Sequence, residues 1–380
     1  MRNVDAAGLG IGDDHPPRIM GVLNVSEESP YEPSVFDDAG DAAAYVDEEL
    51  IDEGADIVDV GLESANKRFD VLSAEQELDR LDTAVAAMES VSGDAVFSIE
   101  TRYHEVAAAA LDAGFDMVND ICGFADPEMP RVCAERNVAV VKMASPQDLT
   151  RPGAVERVDD IYDALQRKGL TEKTIVDPAF GGWSEAKTLA DDRETFDRLR
   201  EFRALDRPIL VSINRKNFLR DVAGRSTEAA LPVSLAATSM AVERGAHVVR
   251  THDVAETRDA ALVGNAFARD RLRHDDDVAV EELDVTSVGE MRRHLDRLDA
   301  STDTDPRRGV VRAFELSDLS PSERETLADA TRATGATLAG SGARRLLFGT
   351  PADLSTVVDA ATGRSDALDD ALTAIEAVGE

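Results

Sequence analysis

The stretch AVFSIETRYHEVAAAALDAGFDMVNDIC, residues 95–122, contains an apolar β-branched run, an alanine-rich helical run and a second apolar run, in that order. Gly114 stands just before the second run. Glycine is common at the end of a helix because it readily adopts the left-handed conformation that closes the last turn. The stretch therefore predicts a β–α–β unit with two parallel strands and a helix that crosses between them.

The same unit recurs from residue 19 to about residue 270. Eight apolar runs alternate with helical stretches, at residues 19–25, 56–62, 95–101, 116–122, 138–144, 174–180, 208–214 and 247–254. Eight such units in about 250 residues are typical of a (β/α)8 TIM barrel. The alternative is a doubly wound open sheet, which normally has a glycine-rich fingerprint after its first strand. Because NVSEESPYEPS (24–34) follows the first strand here, we predict an α/β fold of the TIM-barrel type.

The composition divides the chain into four predicted segments. Residues 1–17 are interpreted as a polar N-terminal tail, 18–272 as the barrel, 273–282 as a charged linker and 283–380 as a small α/β domain. The last domain is expected to contain strands, helices and a final helix from Pro351. It has no motif to which chemistry can be assigned, so we interpret it as a structural or oligomerisation appendage.

The charge of the chain limits its partners. The 380 residues have a formal net charge of −35, and only six of the basic residues are lysines. Acidic side chains are spread along the whole chain, and high salt would screen their mutual repulsion. The composition therefore predicts a halophilic source. Lys and Arg do not cluster on one face, so binding to nucleic acid is not expected.

The distribution of apolar residues and cysteines indicates a cytoplasmic protein. No apolar stretch approaches the roughly 20 residues of a membrane span, and the N-terminus lacks the apolar core of a signal peptide. Cys122 and Cys133 are the two cysteines, too few for a disulfide framework, and both are expected to be reduced and buried.

Polar or ionisable side chains lie at or next to the carboxyl end of every predicted barrel strand. They are Asn24, Asp59, Glu63, Glu100, Asn119, Asp120, Lys142, Asp177, Lys216, Arg250, His252 and Asp253. The carboxyl ends of the strands meet at one mouth of a TIM barrel, where active sites lie. Any one of these residues could form a structural ion pair or cap, but buried charges are costly. Polar groups at all eight strand ends therefore favour a binding site.

The residue types suggest the chemistry of the ligand. Glu100, Asn119 and Asp177 can accept hydrogen bonds from a flat heterocycle that has N–H and amino donors. Three other residues suit a phosphorylated group and its oxygen-loving cation: Arg250, His252 and Asn24. The sequence thus predicts a ring bound beside a phosphorylated group.

Lys216, in RPILVSINRKNFL (207–219), is a lysine in a chain that otherwise prefers arginine. A lysine offers a compact, mobile charge with three donors, whereas arginine offers a rigid planar fork. The site can use such an ammonium to contact a ring carbonyl or nitrogen. The alternative is a Lys216–Asp177 pair that only braces the mouth.

The motifs at the strand ends resemble those of dihydropteroate synthases, a family of pterin-binding TIM barrels. In order along the chain they are IMGVLNVSEES (19–29), GADIVDVGLES (54–64), FSIET (97–101), VNDICG (118–123), VDPAFGG (176–182), INRKNF (213–218) and VRTHDV (249–254). The resemblance covers about residues 18–265 and leaves the C-terminal domain outside. It implies the condensation of 6-hydroxymethyl-7,8-dihydropterin diphosphate with p-aminobenzoate and the release of pyrophosphate.

The resemblance also implies roles for individual residues. Asn24 would bind Mg²⁺ and the diphosphate, which Arg250 and His252 would also bind. The pterin would be bound by Glu100, Asn119, Asp177 and Lys216, with Met143 packed on its ring. Asn217 occupies a position where the family often has a serine that touches the arylamine. The residues expected to be catalytic are Lys216, Arg250, His252 and Asp177, and the family often forms homodimers.

The chain departs from the family pattern mainly in two loops. Glu100 stands where the family usually has aspartate, which moves the carboxylate by about one C–C bond. The first loop retains Asn24 and Ser29 but loses an aromatic residue and the glycines. In the second loop, Ala65 and Asn66 replace the usual threonine and arginine, and Lys67 or Arg68 could supply the lost cation. These loops build the arylamine pocket in the family, whereas the pterin-binding residues are retained.

Three alternatives to dihydropteroate synthase activity follow from this pattern. The first is a related enzyme that joins the pterin to a different arylamine, as in a methanopterin-type pathway. The second is pterin-dependent methyl transfer, which uses the same barrel but needs no diphosphate site. The third is a non-catalytic paralogue that binds pterin.

Overall fold

A computed structural model describes residues 3–25, 36, 38–63, 71–149, 153–181, 186–274 and 278–378. The chain forms two compact units, residues Met1–Arg269 and Asp270–Glu380. The predicted barrel ended three residues later, at 272. Within the described ranges, no helix has the length and apolar character that crossing a membrane requires.

The first unit is the predicted (β/α)8 barrel. A hairpin of β1 (Val4–Ala6) and β2 (Leu9–Ile11) precedes it. The barrel strands are β3 (Arg18–Asn24), β4 (Ile57–Gly61), β5 (Val96–Thr101), β6 (Met117–Asp120), β7 (Ala139–Met143), β8 (Thr174–Asp177), β9 (Leu210–Val211) and β10 (Val248–Thr251). They lie parallel in the order β8-β7-β6-β5-β4-β3-β10-β9, and a parallel bridge between Val176 and Ile209 closes the circle.

Helices follow each barrel strand. They are α1 (Ala39–Tyr45), α2 (Ala74–Ser90), α3 (His104–Asp112), α4 (Met129–Glu135), α5 (Val158–Gln166), α6 (Leu189–Asp197), α7 (Asn217–Ala223), α8 (Leu231–Glu243) and α9 (Val254–Ala266). A π-helical segment, Val46–Ile51, continues α1, and a 3-10 segment, Leu199–Leu205, follows α6. Ser73 and Thr188 begin α2 and α6 with capping boxes, which supply partners for backbone N–H groups that the helices leave unpaired.

Two apolar layers follow from the alternation of side chains along the strands. Outward-facing residues such as Val58, Ile99 and Val140 pack against the helices in the main core. Inward-facing residues such as Ile57 and Val141 form a second core inside the barrel. This layering fills the lower barrel with apolar side chains and leaves polar groups at the carboxyl ends of the strands.

The prediction of a polar tail for residues 1–17 is wrong, because this segment forms a hairpin that closes the bottom of the barrel. Val4, Ala6 and Ile11 are buried in the same cluster as the inward-facing residues of the barrel. Arg203 donates two hydrogen bonds to Asp13, at 3.2 and 3.0 Å. Three-residue strands are too short to produce a periodic signal, so the hairpin could hardly be predicted from the sequence.

We expect Ile11→Ala to lower the free energy of unfolding by about 2–5 kcal/mol, because Ile11 is 0% exposed and the truncation leaves a cavity. Chemical denaturation in high salt measures the change. Val222→Ala is the control, since Val222 is 70% exposed and its truncation should change stability little. Equal stability of both variants would show that the hairpin does not contribute to the core.

The second unit contains a three-stranded antiparallel sheet with helices. Its elements are β11 (Arg273–His274), β12 (Val280–Glu281), α10 (Val288–Arg297), a 3-10 turn Pro306–Arg308, β13 (Arg312–Leu316), α11 (Pro321–Thr331), β14 (Thr337–Ala339), β15 (Arg345–Gly349), α12 (Pro351–Ala361) and α13 (Asp366–Val378). The sheet order is β13-β15-β14. Leu327, Leu347 and Val357 are fully buried in its core.

Two details of the second unit differ from the prediction. The expected linker, 273–282, contains the antiparallel pair β11–β12 and belongs to this unit. The single helix expected from Pro351 is two helices, because Gly363 adopts φ +83° between α12 and α13 and interrupts the helical conformation.

Candidate active site

A row of four inward-facing positions crosses the mouth of the barrel. The parallel register aligns Asn24 with Gly61, Gly61 with Glu100, and Glu100 with Asn119. A Cβ on Gly61 would lie 3.4 Å from Asn24 Oδ1 and 3.8 Å from Glu100 Oε1. Glycine at this position therefore lets the carboxamide and the carboxylate approach each other on neighbouring strands.

Asp59 lies one layer below this row and connects it to β10. Arg250 donates from Nε to Asp59 Oδ2 and from Nη2 to Glu100 Oε2, each at 2.8 Å. Asn119 Nδ2 donates to the same Asp59 oxygen at 2.9 Å. Burial disfavours the charged guanidinium and so lowers the pKa of Arg250. The negative charges of Glu100 and Asp59 have the larger combined effect, and the pKa of Arg250 is raised. The structure thus brings Glu100, Asn119 and Arg250 together in one network.

Lys216 and Asp177 lie on the opposite side of this network. Burial raises the pKa of Asp177 to about 6, although the Ala179 N–H donates to its Oδ1 at 2.8 Å. Burial and the nearby Arg250 lower the pKa of Lys216. The charges of Lys216 and Asp177 act on each other, but these two described residues form no ion pair. The alternative of a bracing Lys216–Asp177 pair is therefore not supported.

Burial disfavours the charged forms of both His252 and Glu100, and therefore shifts their pKa values in opposite directions. Burial, and then the charge of Arg250, lower the pKa of His252 to about 4, so its imidazole is neutral at pH 7. Burial raises the pKa of Glu100 to about 7, against the opposing effects of Arg250 and Lys216. Perturbed ionisable groups that converge on one mouth are typical of functional sites.

Met143 and Asn217 have different surroundings. Met143 is buried with Ile121, Ala154 and Ala179 in a small apolar cluster, and the register places it beside Asp177. Asn217 is exposed, begins α7 and accepts a hydrogen bond from Arg220 at 2.9 Å. The structure therefore places Met143 at the mouth but does not bring Asn217 into the network.

Four other polar residues at the strand ends stabilise the fold instead of lining the mouth. Lys142 faces outward and donates to the Leu165 and Gly169 carbonyls, at 2.8 and 3.0 Å, at the end of α5. Asp120 accepts from the Cys122 and Phe124 N–H groups. The remaining two form ion pairs: Glu63 with Arg102, and Asp253 with Arg215. The expectation that every strand contributes a polar group to the mouth is thus wrong for β7, where Lys142 faces the helices. On β6, Asp120 also faces the helices, but Asn119 lies at the mouth.

Sequence reasoning missed two groups that support the site. Lys187 donates to the Ala179 carbonyl at 2.7 Å and pairs with Asp192 at 3.3 Å, and both charged groups are buried. Arg215 binds both oxygens of Asp253, at 2.8 and 2.7 Å, one residue before Lys216. The scarcity of lysine was the available signal for Lys187, whereas the Arg215–Asp253 pair joins positions too distant in sequence to be inferred.

The rewritten loops lie mostly outside the described residues. These positions are Ser29, Ala65, Asn66, Lys67 and Arg68. Gly181 is described, and a Cβ there would lie 3.0 Å from Lys216 Cδ. The predicted differences in the arylamine pocket therefore remain predictions.

Comparisons with known proteins agree with this geometry. A protein from Haloferax volcanii described as a probable bifunctional folylpolyglutamate synthase/dihydropteroate synthase is 35% identical over 294 residues, which cover 73% of this chain and 34% of that protein. The chain thus spans about a third of that relative. Dihydropteroate synthase from Bacillus subtilis is 30% identical over 255 residues, covering 66% of this chain and 88% of the relative.

Solved structures show the same architecture. A dihydropteroate synthase from Coxiella burnetii in complex with pteroic acid has a TM-score of 0.59 and 28% identity, covering 70% of this chain and 98% of that one. The Thermus thermophilus enzyme in complex with 4-aminobenzoate has a TM-score of 0.58 and 29% identity, covering 70% and 100%. The family model described as "Pterin binding enzyme" matches residues 20–252, and the chain belongs to the pterin-binding enzyme family.

Proposed function

We propose that the barrel condenses 6-hydroxymethyl-7,8-dihydropterin diphosphate with p-aminobenzoate, giving 7,8-dihydropteroate and pyrophosphate. The observation that carries this proposal is the Arg250 guanidinium between Asp59 and Glu100, beside Asn119 and near Lys216. Such a site offers acceptors to a donor-rich ring and cations to a departing anion. The relatives named as dihydropteroate synthases support the same activity.

Asp177, Glu100 and Asn119 would bind the pterin, with Lys216 donating to a ring carbonyl or nitrogen. The bond between the pterin methylene and the diphosphate oxygen breaks, and pyrophosphate leaves with the bonding electrons. The arylamine nitrogen then bonds to the methylene and loses a proton to solvent. The positive charge of Arg250 favours the departing anion. His252, neutral at pH 7, would donate a hydrogen bond to the same anion.

Asn24 would bind Mg²⁺ together with the substrate diphosphate. Mg²⁺ is usually bound by one or two protein oxygens plus substrate phosphates, and the Asn24 carboxamide at the end of β3 is an oxygen donor of this kind, close to Glu100 across Gly61. The ion would supply charge neutralisation for the leaving diphosphate.

The test compares two arylamines at high salt. Purified protein is incubated with Mg²⁺, the pterin diphosphate and either p-aminobenzoate or a substituted arylamine, and pyrophosphate release is measured. Release with p-aminobenzoate supports the proposal. Release with the substituted arylamine alone would favour the methanopterin-type alternative, which the rewritten loops around Ala65 and Asn66 favour. Pterin binding without any release would favour a non-catalytic paralogue.

We expect the affinity for the pterin ring to rise by up to about tenfold between pH 6 and pH 8, because the ionised Glu100 carboxylate accepts the ring donors more strongly than the protonated acid does, and its pKa is about 7. Calorimetry with a pterin that lacks the diphosphate measures this, since no phosphate then titrates. Glu100→Gln should bind more weakly and lose the step near pH 7, leaving the titration of Asp177 near pH 6. A step near pH 7 that persists in Glu100→Gln would assign the titration to another group.

We further propose that the chain requires high salt. The net charge of −35 produces repulsion that about 1 M salt would screen over a few ångströms. Dialysis from about 2 M KCl to 0.1 M should unfold the protein, which circular dichroism would follow. A native spectrum after dialysis would contradict the halophilic interpretation.

A cytoplasmic location and a homodimer complete the proposal. Both cysteines are free and buried, which suits a reducing compartment, and cell fractionation tests the location. Met240 on α8 and Val263 on the adjacent α9 are exposed apolar residues that a second copy could cover. Light scattering in high salt gives the oligomeric state, and a monomer would contradict the dimer.

A further inference from the structure

Asp59 is completely buried beneath the mouth, and its two oxygens have different surroundings. Oδ2 accepts from both Arg250 Nε, at 2.8 Å, and Asn119 Nδ2, at 2.9 Å. Oδ1 is buried and has no hydrogen-bond partner among the described residues. The register places Ser98 directly beside Asp59 on β5, and its Oγ, also buried, likewise has no partner in the described part of the chain.

The contact with Asp59 determines which end of the Asn119 amide faces the mouth. A carboxamide has one donor end and one acceptor end, and neighbouring hydrogen bonds decide its orientation. An ionised carboxylate only accepts, so it takes the NH₂ group of Asn119. The carbonyl oxygen of Asn119 is then the end that remains for a ligand.

Asp59 also limits the position of Arg250. The guanidinium donates from Nε to Asp59 and from Nη2 to Glu100. It therefore lies between the two carboxylates and does not extend over the place proposed for the ring. Glu100 and Asn119 are neighbours in the register. Glu100 in β5 and Asn119 in β6 thus present acceptor oxygens from adjacent strands.

We propose that Asp59 is a positioning residue that makes the ring site select ligands with a hydrogen-bond-donating edge, by orienting the Asn119 amide and the Arg250 guanidinium. This inference rests on the pterin-binding function proposed above. Asp59 does not touch the ring, and it acts through Asn119 and Arg250. The selected ligand class is a fused heterocycle that carries adjacent amino and ring N–H donors.

The test compares pterin with lumazine, which carries an oxygen in place of the pterin 2-amino group. Calorimetry gives the ratio of the two affinities for the natural chain and for two variants. Asp59→Ala should lower the preference for pterin at least about tenfold, because the Asn119 amide can then turn its donor end to the ligand. At saturating pterin diphosphate, the KM for the arylamine should change little.

Asp59→Asn tests whether the ligand preference depends on an acceptor oxygen at this position or on the negative charge of Asp59. Its carboxamide oxygen can take the place of Oδ2 and accept both bonds, while its NH₂ group can donate toward Ser98 Oγ. We therefore expect Asp59→Asn to retain the natural preference within about threefold. A preference unchanged in Asp59→Ala would overturn the inference. Equal losses in both variants would also overturn it, because the charge of Asp59 would then be the cause.

A structure of the natural chain with bound pterin provides a measurement that needs no variant. The inference requires that Asn119 Nδ2 still binds Asp59 while its carbonyl oxygen contacts the ring. An Asn119 amide that leaves Asp59 on binding would contradict it, even if Asp59→Ala fails to fold. Failure of the natural chain to bind any pterin would instead refute the proposed function, so the two failures are distinguishable.

Discussion

Replacing Lys216 by alanine is expected to lower kcat/KM for the pterin substrate by about 10²- to 10³-fold without destabilising the protein. The ammonium lies near Asp177 and Arg250, and burial lowers its pKa. A desolvated cation that forms no ion pair with Asp177 costs stability. Removing the ammonium should therefore leave the free energy of unfolding unchanged or increase it. The hydrogen bond from Lys216 to the pterin ring is lost at the same time.

Arginine is not expected to restore activity at this position. A Cβ on Gly181 would already be 3.0 Å from Lys216 Cδ, so the side chain is closely packed against the backbone there. The planar guanidinium is larger than an ammonium and distributes its donors in a fixed fork. We expect Lys216→Arg to remain at least about tenfold less active than the natural chain.

Steady-state kinetics and chemical denaturation in high salt measure both effects. Lys168→Ala is the matched control, because Lys168 is exposed and, among the residues that the structure describes, donates only to the Ala125 carbonyl. Its activity should equal that of the natural chain. Near-normal turnover in Lys216→Ala would contradict a role for Lys216 in the reaction.

The barrel could be predicted from the sequence because its signal is repeated. Each of the eight units combines a short β-branched run with a helical pattern, and the unit at residues 95–122 shows both in sequence. The structure confirms the barrel, with β5 at Val96–Thr101 and β6 at Met117–Asp120. The hairpin at Val4–Ile11 was missed because it depends on packing against residues far away in the chain.

The sequence predicted which types of residue lie near the site, but not the face of the strand to which each side chain points. Side chains alternate across a strand, so a shift of one position reverses the face. Asn119 faces the mouth, whereas Asp120 faces the helices and accepts backbone N–H groups. Lys216 and Asn217 are adjacent in sequence, yet Asn217 begins α7 and is exposed. Which neighbour faces the site was fixed only by register and by the start of the helix.

The second prediction concerns Arg250, the cation shared by Asp59 and Glu100. We expect Arg250→Met to abolish turnover and to lower the free energy of unfolding by about 3–5 kcal/mol near pH 8, because it leaves two buried carboxylates without their cation. Methionine retains much of the length of the side chain, so the loss should arise from charge more than from packing.

The loss of stability in Arg250→Met should depend on pH in a defined direction. Without Arg250, the pKa of Glu100 rises further above its value of about 7. A carboxyl group with a raised folded-state pKa contributes most below its unfolded pKa, and that contribution is lost as the pH rises through the folded pKa. The difference from the natural chain should therefore be small near pH 5 and large near pH 8, as measured by chemical denaturation at both values.

Neutralising the two carboxylates should separate stability from activity. The triple variant Arg250→Met, Asp59→Asn, Glu100→Gln contains no unpaired charge at this place, so most of the lost stability should return while turnover does not. Arg131→Met is the control, because Arg131 forms exposed pairs with Glu128 and Glu135, and exposed pairs contribute little. If the triple variant remained as unstable as Arg250→Met, unpaired charge would not be the cause. The packing of the Arg250 side chain would then account for the loss.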